Sequence, residues 1–486
     1  MPATPWCQRE GMALLTDLYE LTMVAGFWKE QRANQRVCFE YFFRRLPPHA
    51  GFAVAAGLEP FLQYLENLHF SSDDLAYLRT LNLFDDAFLA YLRDFRPSLT
   101  VRAVPEGTLV FPYEPILQVE GSVLEAQFVE TALLNTLNYQ TLIATKAARI
   151  CLAAEGEPVM EFGLRRAHGP DGGLSGSRAA YIGGCSSTSN LLAGKVYGIP
   201  VSGTHAHSWV MSFPSELEAF RAFARNYPDR CMLLVDTYDT LGSGVPNAIT
   251  VFKELHAKGQ MARPAIRLDS GDLAKLSKMA YRMMTEAGLK DPLIVASNDL
   301  DEDLIADLKR QGARINAWGV GTHLITSNDC PALSGVYKLV AVAQGEAWRP
   351  KIKISSNIEK ATDPGRKHPV RYYDAQNHPV GDVLYTNGEP IARHGEIGGR
   401  RRSEPHIRSL IRDTARGEDL FQTCFEQGTR LLASPPLPAI RERALRCIAA
   451  LPDEFKRLRN PEIYRVMLSE AVGREKAALL ENPDMA

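Results

Sequence analysis

The sequence predicts an α/β protein whose middle region is a set of parallel strands, closed into a (β/α) barrel or wound as an open sheet. Three observations lead there. Between residues 158 and 320, six short apolar segments each end in polar or glycine residues, and helical periodicity follows most of them. Strands that alternate with helices pair in parallel. A further strand pattern at 335–342 brings the count near that of a closed barrel. Residues up to 121 mix helical and strand patterns in the α+β manner, so a chain of 486 residues is expected to hold more than one domain.

In order, residues 14–23 read as a capped amphipathic helix. Thr16 or Asp17 suits the N-cap, and Asp17 and Glu20 suit the positive helix end. Tyr19 on that helix reads as a core or rim aromatic. Residues 36–46 alternate as a strand and stop before Pro47 and Pro48. Residues 58–96 carry apolar side chains three and four apart and read as helices. Residues 99–121 read as strands broken near Gly107 and Pro115, and 124–154 as a long helical stretch. Beyond 345 the rhythm fades. Residues 363–404 are rich in Gly, Pro and charge, with strand patterns at 370–373 and 383–385. The run Arg400, Arg401 and Arg402 reads as a solvated turn more readily than as a phosphate site. Residues 417–482 read as helical and as packing back on the N-terminal region.

The apolar segments of the middle region end at residues that carry chemistry. Residues 158–162 lead to Arg165 and Arg166, and Val201 leads to Gly203 and Thr204. Residues 232–235 lead to Asp236, 265–268 to Asp269, 293–295 to Ser297 and Asn298, and 317–320 to Gly321 and Thr322. Barrels and doubly wound sheets both bind ligands at such strand ends. Asp269 and Asp272 flank a glycine turn before a helix. Carboxylates there suit a Mg²⁺ that keeps its waters and carries substrate phosphates, while Ser270 or Asp272 also suits an N-cap. Asp236 and Asp239 repeat the theme one strand earlier. Gly319 and Gly321 beside Thr322 offer backbone N–H groups to a phosphate. Arg165, Arg166 and Arg267 suit planar, bidentate binding of carboxylate or phosphate. His205 and His207 stand two apart. They read as metal ligands, a base or a phosphoryl acceptor, or else as satisfied histidines at a strand end. The set points to an enzyme on a phosphorylated, Mg²⁺-bound substrate with an arginine-held anionic co-substrate.

Composition narrows the classes. Lys and Arg total 55 against 57 Asp and Glu, a net charge of −2, which argues against a general nucleic-acid or membrane-surface binder. Eight cysteines without a Cys-x-x-Cys pair read as free thiols in a reducing compartment. No signal-peptide pattern and no bilayer-length apolar run is present, so a cytoplasmic protein is expected.

The segments TDLYELTM, EFGLRRAHG, SSTSNLLAG, GTHAHSWV, VDTYDT, RLDSGDL, ASNDL, GVGTHLITS and GVYKLV follow one another between about residues 14 and 365, with RNPEIY near 459–464. Together they resemble the nicotinate phosphoribosyltransferase family. The resemblance implies an irregular α/β barrel plus an α/β domain built from both chain ends. The corresponding division is an N-terminal domain over 1–135, a barrel over 136–345 and a C-terminal region over 346–486 packing on the first. It implies transfer of 5-phosphoribosyl from phosphoribosyl diphosphate to nicotinate, coupled to ATP hydrolysis through a phosphohistidine, in homodimers with active sites at the subunit interface. The phosphohistidine corresponds to His207, although His205 stands close by as a second candidate. Nicotinate contacts correspond to Tyr19 of the neighbouring subunit, Phe162, Asn190, Thr204 and Arg267. Phosphoribosyl diphosphate contacts correspond to Arg165, Ser297, Asn298, Gly319, Gly321 and Thr322. Asp236 and Asp269 would hold Mg²⁺ through the diphosphate, and with His207 form the catalytic set. The related nicotinamide enzyme carries an aspartate at the position of Asn190, where a neutral side chain suits nicotinate. Quinolinate phosphoribosyltransferase shares the barrel but lacks the phosphorylatable histidine. A non-catalytic dimeric module of the same fold is the remaining alternative.

Overall fold

Polar strand ends act together only where a fold brings them to one side, and the unit from Lys146 to Pro331 does so. The computed structural model describes residues 5–9, 11–260, 263–355 and 360–482. Within this unit six strands lie in the order Ser187–Thr188, Val159–Glu161, Ala317–Val320, Leu293–Ala296, Ala265–Leu268 and Met232–Leu234. Every neighbouring pair is parallel, so the C-terminal ends share one rim. The strands are short and their aliphatic side chains buried, with Leu233, Ile266 and Ile294 fully so. Helices Gly169–Ile182, Leu191–Tyr197, Glu216–Asn226, Val245–Ala257, Leu273–Glu286 and Glu302–Arg310 alternate with them along the chain. Side chains of Asn190, Ser215, Asp272 and Asp301 cap four of these helices by accepting from their first N–H groups.

The ring closes unevenly. Val201 makes a single parallel bridge to Thr188 at one edge. Beyond it, the Thr204 hydroxyl donates to the Met232 carbonyl at 2.6 Å, and the Leu234 N–H donates to His205 Nε2 at 3.2 Å. Backbone pairing joins one side of the segment to the sheet, and side chains join the other. The result is an irregular barrel, not an open sheet. Ser187–Thr188, which contributes a strand, was hidden in the sequence by its brevity and its hydroxyls.

Two expectations change. The 335–342 pattern is not a barrel strand. The strand Gly335–Gln344 pairs antiparallel with Arg36–Phe43 on one side and Ala347–Pro350 on the other. Alternation records that a strand has a buried face but not which sheet supplies its neighbours. Residues 417–482 are helical only in part. Strands Arg416–Asp419, Gln422–Glu426, Thr429–Arg430 and Val466–Leu468 accompany the helices Leu437–Ala450, Asp453–Lys456 and Glu470–Glu481. Gln422–Glu426 pairs with Thr100–Ala103, which ties this end of the chain to the N-terminal region.

The second unit runs up to Thr145 and resumes at Ala332. It holds a seven-stranded antiparallel sheet and a six-stranded mixed sheet. Arg400 and Arg401 end a strand there and Arg402 follows it, and each is paired: with Glu470, Glu404 and Asp363 respectively. None of the eight cysteines forms a disulfide. No helix among the described residues is long and apolar enough to cross a membrane.

Candidate functional site

Each half-turn that follows a barrel strand delivers one polar side chain to the rim. The centre is Arg267, the third residue of its four-residue strand. Its Nε donates to Ser297 Oγ at 2.7 Å and its Nη2 to Asp269 Oδ1 at 2.8 Å, while the Ser297 hydroxyl also donates to Asp269. Nη1 has no hydrogen-bond partner among the described residues, so the guanidinium is aimed by two contacts and keeps a donor in hand. Its carbon sits 6.0 Å from the centre of the Phe162 ring. That ring needs Gly319 beneath it: a Cβ there would come within 2.7 Å of the ring carbons.

Asp269 joins Arg267 to the next strand end. Its own N–H donates to Asp236 Oδ2 at 2.8 Å, and the Ser270 hydroxyl donates to the same oxygen at 2.7 Å. Burial would raise the Asp269 carboxyl, but the Ser297 hydroxyl and the Arg267 charge outweigh it and hold the group below the usual carboxylate range. Asp236 Oδ1 is buried and has no hydrogen-bond partner among the described residues. An orphaned carboxylate oxygen beside a second carboxylate suits a Mg²⁺ that brings its own phosphate and water ligands. Among the described residues no three His, Cys, Asp or Glu side chains converge into a complete metal cage. Asp239 and Asp272 have other work. Each accepts from backbone N–H groups at the start of the following helical turn.

The two histidines separate. His207 is partly exposed: Nδ1 lies 3.1 Å from the Thr237 hydroxyl, and Nε2 lies 3.8 Å from Asp269 Oδ2, with no hydrogen bond of its own among the described residues. His205 is 7% exposed. An amide N–H only donates, so His205 Nε2 must be the bare nitrogen that accepts from Leu234. The proton then belongs on Nδ1, 3.3 Å from the Ala206 carbonyl. Burial pushes the His205 pKa down to about 4, helped by the nearby Arg267 and His207 charges and opposed by the Ala206 bond. His205 is thus neutral with both nitrogens spent, and His207 alone keeps a ring nitrogen open.

Several predicted contacts take a different form. Asn190 is 2% exposed. Its Oδ1 accepts from Leu192 and Ala193 N–H, and its Nδ2 donates to the Gly173 carbonyl and Ser177 Oγ. All its capacity is committed to capping and to the core, so its side chain offers a ligand nothing here. Ser297 is likewise buried and serves as the link between Arg267 and Asp269. Thr204 spends its hydroxyl proton on Met232 and retains only lone pairs. Asn298 is exposed, with a φ of 121° that few side chains adopt. Arg165 and Arg166 lie exposed on the turn Leu164–Arg166, with no ion-pair partner among the described residues. Gly321 and Thr322 follow strand Ala317–Val320 and open a single helical turn. Tyr19 belongs to the other unit, on the helix Leu18–Lys29, 48% exposed.

Sequence reasoning missed Glu161. It is fully buried at the end of its strand and accepts from Gly163 N–H, from Ser177 Oγ at 2.9 Å and from Thr188 Oγ1 at 2.5 Å. It thereby holds the backbone on both sides of Phe162. An acid inside the motif EFG, between an apolar strand and a glycine, was the available signal.

Fold and rim together define a parallel α/β-barrel protein with arginine, carboxylates and an open histidine at its strand ends. Family models agree over nearly the whole chain: the nicotinate phosphoribosyltransferase (NAPRTase) N-terminal domain over residues 14–138, the NAPRTase family over 158–379 and the NAPRTase C-terminal domain over 366–476. The Bacillus subtilis nicotinate phosphoribosyltransferase is 46% identical over 95% of this chain and 94% of its own length. The Homo sapiens nicotinate phosphoribosyltransferase is 36% identical, with 96% of both chains covered. The crystal structure of human nicotinic acid phosphoribosyltransferase superposes with a TM-score of 0.85 at 35% identity, covering 96% of this chain and 100% of that one. The chain belongs to the nicotinate phosphoribosyltransferase family.

Proposed function

We propose that this protein transfers the 5-phosphoribosyl group from phosphoribosyl diphosphate to nicotinate, giving nicotinate mononucleotide and diphosphate for NAD synthesis, with ATP hydrolysis coupled through phospho-His207. The observation that carries this reading is the Arg267–Ser297–Asp269–Asp236 array, which keeps one arginine donor and one carboxylate oxygen unspent.

Nicotinate is a carboxylate on a flat ring. Arg267 Nη1 meets the carboxylate, and Phe162 lies against the ring. The pyridine nitrogen attacks C1 of the ribose as the C1–oxygen bond to diphosphate breaks, and that carbon becomes cationic on the way. Arg165 takes up charge on the departing diphosphate. Asp236 and Asp269 would hold a Mg²⁺ together with the substrate's phosphates, and that ion would neutralise further charge on the leaving group. His207 Nε2 attacks the terminal phosphorus of ATP. The new N–P bond forms as ADP leaves, and water later cleaves it.

Product analysis tests this reading: nicotinate and nicotinamide offered side by side with phosphoribosyl diphosphate, with and without ATP. Nicotinate mononucleotide formation accelerated by ATP is the expected result. Preference for nicotinamide, or no diphosphate release from either, overturns it. The proposed dimer has its own test. If each site takes Arg267 from one chain and the partner subunit's Tyr19, Tyr19→Ala and Arg267→Ala are each nearly inactive. Refolded together, they recover about a quarter of parent activity, because about half the dimers are mixed and each has one intact site. No recovery despite proven subunit exchange refutes the shared site.

A further inference from the structure

We propose that His205 is a positioning residue: its imidazole replaces a missing strand at the barrel seam and so fixes Thr204 and His207, which stand on either side of it. Among the described residues the strand Met232–Leu234 has a ladder partner on one side only, Ala265–Leu268. On its other side the backbone groups face a segment that is not a strand. A buried N–H or carbonyl left there without a partner is costly, and two side chains prevent that. The Thr204 hydroxyl donates to the Met232 carbonyl at 2.6 Å, and His205 Nε2 accepts from the Leu234 N–H at 3.2 Å. One step further, His207 Nδ1 lies 3.1 Å from Thr237 Oγ1. The three contacts climb the seam in order: 204 to 232, 205 to 234, 207 to 237. His205 is the middle rung, and the one that holds a backbone N–H.

The ring is fixed from behind as well. It packs edge-on against Phe223, with centroids 4.8 Å apart and planes at 64°, and lies 6.0 Å from Phe220. Both aromatics belong to the helix Glu216–Asn226. A neutral imidazole therefore combines an acceptor at the right reach with a flat apolar body. Glutamine supplies the acceptor without the ring, leucine the bulk without the acceptor. If the middle rung goes, the segment can slide along the strand edge. His207 Nε2 would then leave its place 3.8 Å from Asp269, and Thr204 its place at the rim.

The kinetic consequence rests on the proposed role of His207, so the test reads the seam and the chemistry separately. In the full-length protein, His205→Leu, His205→Gln and Phe223→Leu are compared for hydrogen exchange at the Leu234 amide, ATP stimulation of nicotinate mononucleotide synthesis, and nicotinate KM. His205→Leu is expected to speed exchange at Leu234 about tenfold or more and to cut ATP stimulation by a similar factor, while the ATP-independent rate changes by less than about threefold. His205→Gln restores most of both, and Phe223→Leu, which loosens the ring but leaves its acceptor, loses only a small part of both. Parent-like exchange and stimulation in His205→Leu overturn the proposal, as does a His205→Gln that behaves like His205→Leu. Should His205→Leu not fold, His205→Gln decides alone: retained stimulation and slow exchange support the acceptor role, and their loss refutes it. If the parent shows no ATP stimulation, the reading of His207 fails, and exchange at Leu234 together with nicotinate KM still decides the seam.

Discussion

The two units use the same charged residue types for opposite ends. In the antiparallel unit they are buried in closed sets. Glu40 Oε2 lies 2.9 Å from Lys367 Nζ, with both side chains 2% exposed. Arg371 meets Asp382 through two donors at 2.9 and 2.7 Å, and the Tyr464 hydroxyl completes that carboxylate. Asp363 takes Arg402 and Lys476. Burial alone would raise its carboxyl, but those two cations and Lys367 hold it far below the ordinary range. Glu114 is left more open: among the described residues its Oε1 is buried without a hydrogen bond, and burial raises its carboxyl, as does the neighbouring Asp382. The barrel unit has one buried closed set as well, Glu302 with Lys146 and Arg149, but at its strand ends Arg267 Nη1, Asp236 Oδ1 and His207 Nε2 keep capacity to spare. Parallel strands collect their ends on one rim, whereas antiparallel strands scatter them. A charge inside a closed pair holds a fold together, and a charge left half-paired is equipped for a ligand.

Exchanging one arginine in each unit breaks this comparison most directly. Arg371→Met strands Asp382 in the core and should destabilise its unit by about 3–5 kcal/mol in a denaturant titration, with activity per folded molecule retained. Arg267→Ala should do the reverse: kcat/KM for nicotinate falls about a thousandfold, on the order of 4 kcal/mol, while the melting temperature moves by a few degrees at most. If Arg267→Ala unfolds the barrel, or Arg371→Met abolishes activity at full stability, the contrast is wrong.

Asn190→Asp gives a smaller effect that tells a structural role from a binding one. Aspartate still caps the helix Leu191–Tyr197, but its second oxygen faces the Gly173 carbonyl that the amide now satisfies. A loss of about 2 kcal/mol in stability, with nicotinate KM nearly unchanged, is expected. A large rise in KM at parent stability would return Asn190 to the binding site.

The smallest effect is a pH slope. Burial pushes the Glu20 carboxyl up to about 7, against the pull of hydrogen bonds from Thr16 and Thr131. The folded protein therefore binds this proton more tightly than the unfolded chain between about pH 4.3 and 7. Its contribution is present below that window and is lost as pH rises through it. Glu20→Gln should flatten the decline in stability between pH 5 and 8 by on the order of 1–2 kcal/mol, read from melting curves. An unchanged slope would show that Glu20 titrates normally.

The alternation of apolar segments with helical stretches, and the polar residues closing each segment, are local properties, and by themselves they determined the parallel strands and the strand ends at which Arg267, Asp236 and Asp269 stand, while closure into a barrel was decided by the contacts of Thr204 and His205. Partner choice is not local. Residues 335–344 alternate well enough for any sheet, and burial against Arg36–Phe43 decided which one. Ser187–Thr188 carries no strand signature and became one because its neighbours left it no other place for its backbone bonds. His205 and His207 are the same residue two positions apart, with hydroxyls near both, and apart from the family resemblance, which points to His207, their local chemistry does not rank them. Tertiary structure did, because burial and the unpaired Leu234 N–H consumed both nitrogens of one ring, while the other faces Asp269 with a nitrogen still open.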